Sequence, residues 1–440
     1  MRKREIFTDP NPILRKETLK VESFDGELQS LIDDMIFTMK DADGIGLAAP
    51  QIGESKKIIV VGYDNKNDES SFPLTVLVNP EIISESKERQ FMVEGCLSFP
   101  GKELYIKRPE KITVSAFDRW GKSVVIEADN LFSRALQHEI DHINGILMVD
   151  QIKSVKTIFI GNGSLGIPTL KMLTSNPQFE LQAVYTSRDQ ISGRKKLLLE
   201  TPIAEEAANL GLNVTKIDSV KNFKVKDAIE ELCPDLIILA DYREIIPESI
   251  FKIPKLGVLN IHPSVLPKYR GPSPVVSAIL NGEKKTGVTI IKINDQIDSG
   301  DILAQIETKI KSREDANILK KRLSEIAADL LAELIPYYLA GEISPIKQND
   351  NLASDTPRLT KDQGKLSGNE DSKTVDRMVR ALNPWPGVYI IKNNKRINIT
   401  KVHLTRDNKL IIDLVKPEGK NEMKYTDYLN GYHNELTFDE

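Results

Sequence analysis

Over residues 25–40 the apolar side chains fall at Leu28, Leu31, Ile32, Met35, Ile36 and Met39, the three-and-four spacing that lines one face of a helix. Asp43-Gly44 marks its stop. The pattern then changes: Lys57-Ile-Ile-Val-Val-Gly, Leu74-Thr-Val-Leu-Val and Ile112-Thr-Val-Ser-Ala-Phe are short β-rich runs broken by Gly, Pro and Asn/Asp clusters, which predicts strands. Helical spacing returns at Leu131, Phe132, Ala135, Leu136 and Ile140, with Asp129 as the expected N-cap and Gly145 as the stop. Residues 1–155 therefore predict an α+β domain.

From residue 156 the chain alternates. Thr157-Ile-Phe-Ile, Leu181-Gln-Ala-Val-Tyr, Asn213-Val-Thr-Lys-Ile, Asp235-Leu-Ile-Ile-Leu-Ala and Gly257-Val-Leu-Asn-Ile have strand character, and helical patterns separate them. This rhythm predicts a mostly parallel, Rossmann-like α/β sheet with helices on both faces over 156–345. Thr201-Pro202 is the expected start of one helix, and a long amphipathic helix over 312–339 closes the domain. Residues 346–372, rich in Asp, Asn, Ser, Lys and Gly, predict a linker. Residues 373–440 predict a short helix followed by a small β domain.

Composition adds exclusions. The 440 residues are 40% hydrophobic and 28% charged, which excludes a wholly disordered chain. Only Cys96 and Cys233 are available as thiols, so a disulfide framework is excluded and a reducing compartment is expected. No apolar run approaches the roughly 20 residues that span a bilayer, and Met1-Arg-Lys-Arg-Glu-Ile lacks a signal-peptide core; a cytoplasmic protein without a membrane partner is expected. A net charge of −4 argues against coating nucleic acid through bulk positive charge. Local basic stretches remain: Arg377, Arg380, Lys392, Lys395, Arg396, Lys401 and Arg406 follow one another with no acidic residue between them.

The strongest chemical signal is Gln137-His138-Glu139-Ile140-Asp141-His142. On a helix, His138 and His142 project from one face and can share a metal, with Glu139 beside them as a general base. Cys96, in Glu94-Gly-Cys-Leu-Ser-Phe-Pro-Gly101, is the one thiol in this half that could complete the ligand set. Together with Gly44-Ile-Gly-Leu-Ala-Ala-Pro-Gln-Ile-Gly53, these segments resemble the three motifs of the peptide deformylases, in the same order. The resemblance implies Cys96, His138 and His142 as ligands of Fe²⁺, or of a substitute such as Zn²⁺, with Glu139 as acid and base. It implies the Gln51 amide and the Leu97 backbone N–H as oxyanion donors, Gly46 as the point of close substrate approach, and N-formylmethionyl nascent peptides, on or off the ribosome, as substrates.

The second half opens on Gly161-Asn-Gly163-Ser-Leu-Gly166, a GxGxxG between a strand and a helix. An NAD reading of it lacks the acidic residue expected at the tip of the next strand, which ends Thr186-Ser187-Arg188, whereas Arg188 leaves an NADP reading open. The transferable chemistry lies in Asn260-Ile-His262-Pro-Ser264 and Gln296-Ile-Asp298-Ser-Gly300, both following or joining strands. Asn260 can donate to an oxyanion, His262 can carry a proton, and Asp298 can hold the imidazole in its charged form.

With Ser264-Val-Leu-Pro-Lys-Tyr-Arg-Gly271, these residues resemble the 10-formyltetrahydrofolate-dependent formyltransferases. The resemblance implies Asn260, His262 and Asp298 as the catalytic set and Ser264, Val265, Leu266 and Pro267 as the lining of the folate site. The tail, from Arg377-Met-Val-Arg-Ala-Leu-Asn-Pro-Trp-Pro-Gly387 onward, is similar to the OB-like barrel of the methionyl-tRNA formyltransferases, which implies initiator methionyl-tRNA as partner and Arg194, Lys195 and Lys196 as a basic loop against its acceptor stem. Asp241-Tyr242-Arg243 departs from the family, which has a small residue, Tyr and Gly there. Two rival readings of the second half are a sugar-nucleotide formyltransferase and an inactive folate- or RNA-binding module; the tail argues against the first, and the intact Asn260, His262 and Asp298 against the second.

Overall fold

The computed structural model describes residues 1–64, 70–192, 197–432 and 436. Two compact units form: Met1–Ser154 with Asn176–Gln178, and Val155–Ser175 with Phe179–Glu440. Among the described residues, no helix is long and apolar enough to cross a membrane.

The first unit begins with α1 (Gly26–Asp41), whose N-cap Asp25 accepts a hydrogen bond from the Leu28 N–H. Strands β1 (Gly46–Ala48), β2 (Ile58–Tyr63) and β3 (Phe72–Glu85) follow, then a separate hairpin of β4 (Arg89–Gly95) and β5 (Glu103–Pro109), then β6 (Lys111–Phe117) and β7 (Ser123–Asp129), and finally helix α2 (Asn130–Ile143). The main sheet is antiparallel in the order β1-β2-β3-β6-β7. The continuous apolar run of β2 has a simple cause: Ile58 and Val60 face Leu28, Ile32 and Met35 of α1, while Ile59 and Val61 face Leu136, Ile140 and Ile143 of α2. A strand covered on both faces has no polar side to show. Asp129 is the N-cap residue of α2, as expected, although its side chain makes no capping bond. From Ser133 onward α2 is buried almost all round, Gln137, His138, Glu139 and His142 included.

The second unit contains β8 (Val155–Gly161), α3 (Ile167–Ser175), β9 (Phe179–Ser187), the short pair β10 (Gln190–Ser192) and β11 (Leu197–Leu199), α4 (Pro202–Asn209), β12 (Val214–Ile217), α5 (Phe223–Glu231), β13 (Leu236–Ala240), α6 (Glu248–Phe251), β14 (Val258–His262), α7 (Pro274–Leu280), β15 (Lys285–Lys292), β16 (Asp301–Lys309) and α8 (Ala316–Leu339). Thr201 caps α4 by accepting from the Ala204 N–H, with Pro202 in the first turn. The sheet order is β12-β9-β8-β13-β14-β15-β16. The first five of these run parallel, and β15 and β16 are antiparallel additions at one edge. Alternation along β13 sends Leu236, Ile238 and Ala240 to one core and Ile237 and Leu239 to the other, so both faces are covered.

The GxGxxG turn at the end of β8 is filled by protein. A Cβ on Gly161 would come 2.6 Å from the Ala240 carbonyl oxygen, and one on Gly163 would come 1.9 Å from Oδ2 of Asp241, whose carboxylate pairs with Lys320 at 2.6 Å.

The C-terminal part consists of α9 (Ser372–Leu382), β17 (Val388–Lys392), β18 (Lys395–Leu404), β19 (Leu410–Pro417), β20 (Met423–Lys424) and α10 (Tyr425–Tyr432). The small β domain expected from sequence is, among the described residues, a four-stranded antiparallel sheet in chain order. Val375, Val379 and Leu382 of α9 pack with Val388, Ile399 and Val415 of this sheet.

The stretch expected as a linker is mostly exposed but is fastened to its neighbours at several points. Ile346 forms an antiparallel bridge with Ile302, Gln348 and Thr356 are buried, and the Leu366 N–H donates to the Tyr389 carbonyl at 2.8 Å. Most of its polar side chains face solvent, as composition suggests, while Gln348, Ser354 and Thr356 bond to neighbouring loops.

Candidate active sites

In the first unit, β4 delivers Cys96 at its C-terminal end and α2 delivers His138 and His142 one turn apart. The Cys96 thiol and one ring nitrogen from each histidine lie within 4.8 Å of one another, the one such Cys/His/carboxylate group among the described residues. Cys96 Sγ is 3.2 Å from His142 Nε2. A sulfur and two imidazoles around one point suit a borderline transition metal such as Fe²⁺ or Zn²⁺, and three protein ligands leave a fourth position for chemistry.

Cys96 and His138 border a cleft of about 560 Å³ that also takes in Gly46, Gln51, Leu97 and Glu139. Gln51 accepts from the Ala48 N–H at 2.8 Å and donates to Ser98 Oγ at 3.1 Å, with Cys96 Sγ 3.7 Å away, so its amide is oriented toward the thiol. The Leu97 N–H has no hydrogen-bond partner among the described residues. Glu139 is buried and its Oε2 is likewise without a partner among them. Burial pushes this carboxyl up to about 7.

Behind the ligands lies a network that the motifs did not reveal. Glu94 Oε2 sits 2.9 Å from His138 Nδ1 and fixes the ring from its far side. Glu94 also accepts from Arg108 Nε and from Arg134 Nη1, each at 2.6 Å, and Arg108 reaches Asp141 at 2.7 Å. Burial works to raise Glu94, but the hydrogen bonds from His138 and Arg108 and the Arg108 charge hold it well below the usual carboxylate range. Glu94 and Arg108 come from the two strands of one hairpin and the other partners from α2, so no local spacing announces them.

In the second unit the functional groups gather at the carboxyl end of β14 and in the loop joining β15 to β16. Asn260 Nδ2 donates to Asp298 Oδ1 at 3.1 Å, and His262 Nδ1 lies 3.5 Å from Asp298 Oδ2. The other ring nitrogen of His262 is 2.8 Å from the Tyr269 carbonyl, and the Gly271 N–H donates to Asp298 Oδ2 at 2.8 Å. An amide, an imidazole and a carboxylate thus converge.

Ser264, Val265, Leu266 and Pro267 follow directly. Ser264 and Leu266 point inward, while Val265 and Pro267 are half-buried. The Ser264 hydroxyl donates to the Lys268 carbonyl, and Gln305 donates to the Leu266 carbonyl at 2.9 Å, so this loop has a fixed shape. Arg243 is exposed. Arg194, Lys195 and Lys196 lie outside the described residues.

Two classes of enzyme are defined by these arrangements. A thiol and two imidazoles beside a buried carboxylate make a metal-dependent hydrolase; an amide, an imidazole and a carboxylate at the strand ends of an open α/β sheet make an acyl transferase. Residues 3–157 match the polypeptide deformylase family, residues 155–335 the formyl transferase family, and residues 358–410 the formyl transferase C-terminal domain. The methionyl-tRNA formyltransferase of Enterococcus faecalis is 32% identical over 300 residues, covering 63% of this chain and 96% of that protein. That of Limosilactobacillus fermentum is 33% identical over 301 residues, covering 63% and 95%. A peptide deformylase from Legionella pneumophila is 47% identical over 34% of this chain and 87% of its own, with a TM-score of 0.32. The chain belongs to the methionyl-tRNA formyltransferase family and carries a peptide deformylase domain ahead of it, a bifunctional deformylase and formyltransferase.

Proposed function

We propose that residues 1–155 hydrolyse the formyl group from N-formylmethionyl peptides, that residues 156–345 transfer formyl from 10-formyltetrahydrofolate to the amine of initiator methionyl-tRNA, and that residues 373–440 engage that tRNA. The observation that carries the reading is the presence, in one chain, of the Cys96, His138 and His142 donor set beside Glu139 and of the Asn260, His262 and Asp298 cluster.

Cys96, His138 and His142 would hold the metal, with Fe²⁺ favoured over Zn²⁺ by the family resemblance. Such an ion supplies Lewis acidity and lowers the pKa of water. The residues supply the rest. Gln51 Nε2 and the Leu97 N–H donate to the oxygen of the formyl carbonyl as it gains charge. Glu139 carries the proton from the attacking water to the departing amine as the C–N bond breaks.

In the second unit the methionyl amine attacks the formyl carbon and the bond to the folate nitrogen breaks. Asn260 donates to the developing oxyanion, His262 moves the proton, and Asp298 orients the imidazole. Ser264, Val265, Leu266 and Pro267 line the folate site, and Arg194, Lys195 and Lys196 contact the acceptor stem. Both reactions belong to bacterial-type protein synthesis in the cytoplasm.

The test assays both reactions on one preparation. A chelator or Glu139→Gln is expected to abolish deformylation and spare formyl transfer; His262→Ala is expected to do the reverse. Formyl transfer to an amino-sugar nucleotide and none to methionyl-tRNA would overturn the second assignment.

A further inference from the structure

The groups proposed for formyl transfer lie on two loops, and at each the backbone takes a costly shape. Asp298 has φ 48° and Tyr269, whose carbonyl faces His262, has φ 64°. Non-glycine residues stay in the left-handed region only where their surroundings hold them there. What holds both is the segment after α8. Anchored by the Ile302–Ile346 bridge, it carries Gln348 over the loop between β15 and β16, where Nε2 donates to the Asp298 carbonyl and to the Gly300 carbonyl, each at 2.8 Å. Gln348 Oε1 accepts from Arg270 Nε at 3.0 Å and Nη2 at 2.8 Å. Six residues further on, Ser354 Oγ accepts from the Tyr269 N–H at 2.9 Å and the Ser354 carbonyl accepts from the Arg270 N–H at 2.8 Å. Gln348 is 6% exposed and both ends of its amide are engaged.

We infer that Gln348 is a positioning residue for formyl transfer: from a segment outside the α/β sheet it sets the backbone of Asp298 and, through Arg270, ties that loop to the one that holds His262. The inference rests on the assignment of Asn260, His262 and Asp298 to this reaction. A buried amide that donates to two carbonyls and accepts from a guanidinium is a three-way joint; no other side chain offers both donors and an acceptor at that length except glutamine. Its action falls on the carboxylate's position, so it belongs to the rate of the chemical step rather than to substrate binding.

The experiment uses the full chain with Gln348→Glu and Gln348→Leu. Glutamate keeps an acceptor for Arg270 but replaces the two donations by a carboxylate oxygen that repels the same two carbonyls; leucine loses all the bonds without adding charge. The expected result is a fall in kcat for formyl transfer of about tenfold or more in both, with KM for methionyl-tRNA and for the formyl donor within about twofold. The unfolding midpoint reports the fold of the unit, and deformylation by the same molecules reports the concentration of intact chain. Wild-type kcat in Gln348→Glu would overturn the inference, as would a rise in KM at constant kcat or a loss that only follows the unfolded fraction. Asp298→Asn separates this from the parent assignment: if that variant transfers formyl normally, the catalytic set itself is wrong, whereas an inactive Asp298→Asn with an unimpaired Gln348→Glu sinks the positioning role alone.

Discussion

Gly46→Ala adds one methyl group at the floor of the deformylase cleft, and its effect can be worked from distances. An ideal Cβ at position 46 would lie 2.3 Å from Glu139 Oε1, 2.8 Å from Cδ and 2.9 Å from Cγ. Comfortable contact needs about 3.5 Å, so the carboxylate must retreat by about 1 Å. The backbone of Glu139 cannot follow, because α2 is packed on nearly every side, but the side chain can swing into the cleft it borders. Relief by a side chain keeps the stability cost near the low end of overpacking, about 1 kcal/mol. A 1 Å displacement of a proton carrier costs far more in rate, on the order of 100-fold in kcat/KM. The assay is hydrolysis of a formylmethionyl peptide, with bound metal measured on the same sample. Cys96, His138 and His142 are untouched, so metal content is expected to remain at the wild-type level, and formyl transfer to be unchanged. Deformylation within about threefold of wild type in a folded, metallated Gly46→Ala would refute the role given to Glu139.

Glu94→Ala removes the carboxylate shared by Arg108, Arg134 and His138; leaving buried guanidinium groups without it is expected to destabilise the deformylase unit by about 3–5 kcal/mol, read by denaturant unfolding. Gly300→Ala would put a Cβ 1.9 Å from the Lys292 carbonyl oxygen, a backbone atom that cannot step aside cheaply; formyl transfer should fall on the order of 100-fold while deformylation by the same chain holds. Thr201→Ala removes the cap bond to the Ala204 N–H and is expected to cost about 1 kcal/mol in the thermal unfolding of the second unit.

What the sequence made legible follows from what is local. Leu28, Leu31, Ile32, Met35 and Met39 place α1 because helical burial repeats within one turn. The His138-to-His142 spacing works for the same reason, and the apolar strand runs place β8, β13 and β14 because strands covered on both faces carry no polar alternation. Glu94, Arg108 and Arg134 escaped because their pairing spans three separate elements. The segment after α8 escaped for a different reason. Its order comes from Gln348, Ser354 and Thr356 bonding to loops of the α/β domain, and a chain held by polar side chains has the composition of one held by nothing. Asp129 marked the start of α2 correctly, because a capping residue is a local signal, although its side chain makes no capping bond there.

Phosphate recognition by a strand, a glycine turn and a helix depends on open space before the turn. Here a neighbour owns that space. Asp241 presses against Gly163, and Lys320 neutralises it. An incoming pyrophosphate would have to break an ion pair and evict a carboxylate of its own sign. The turn has become a brace between two strands, with its glycines retained because the adjacent chain is close. The residue at the tip of the next strand over, more than the glycine spacing, therefore separates a nucleotide pocket from a joint that only looks like one.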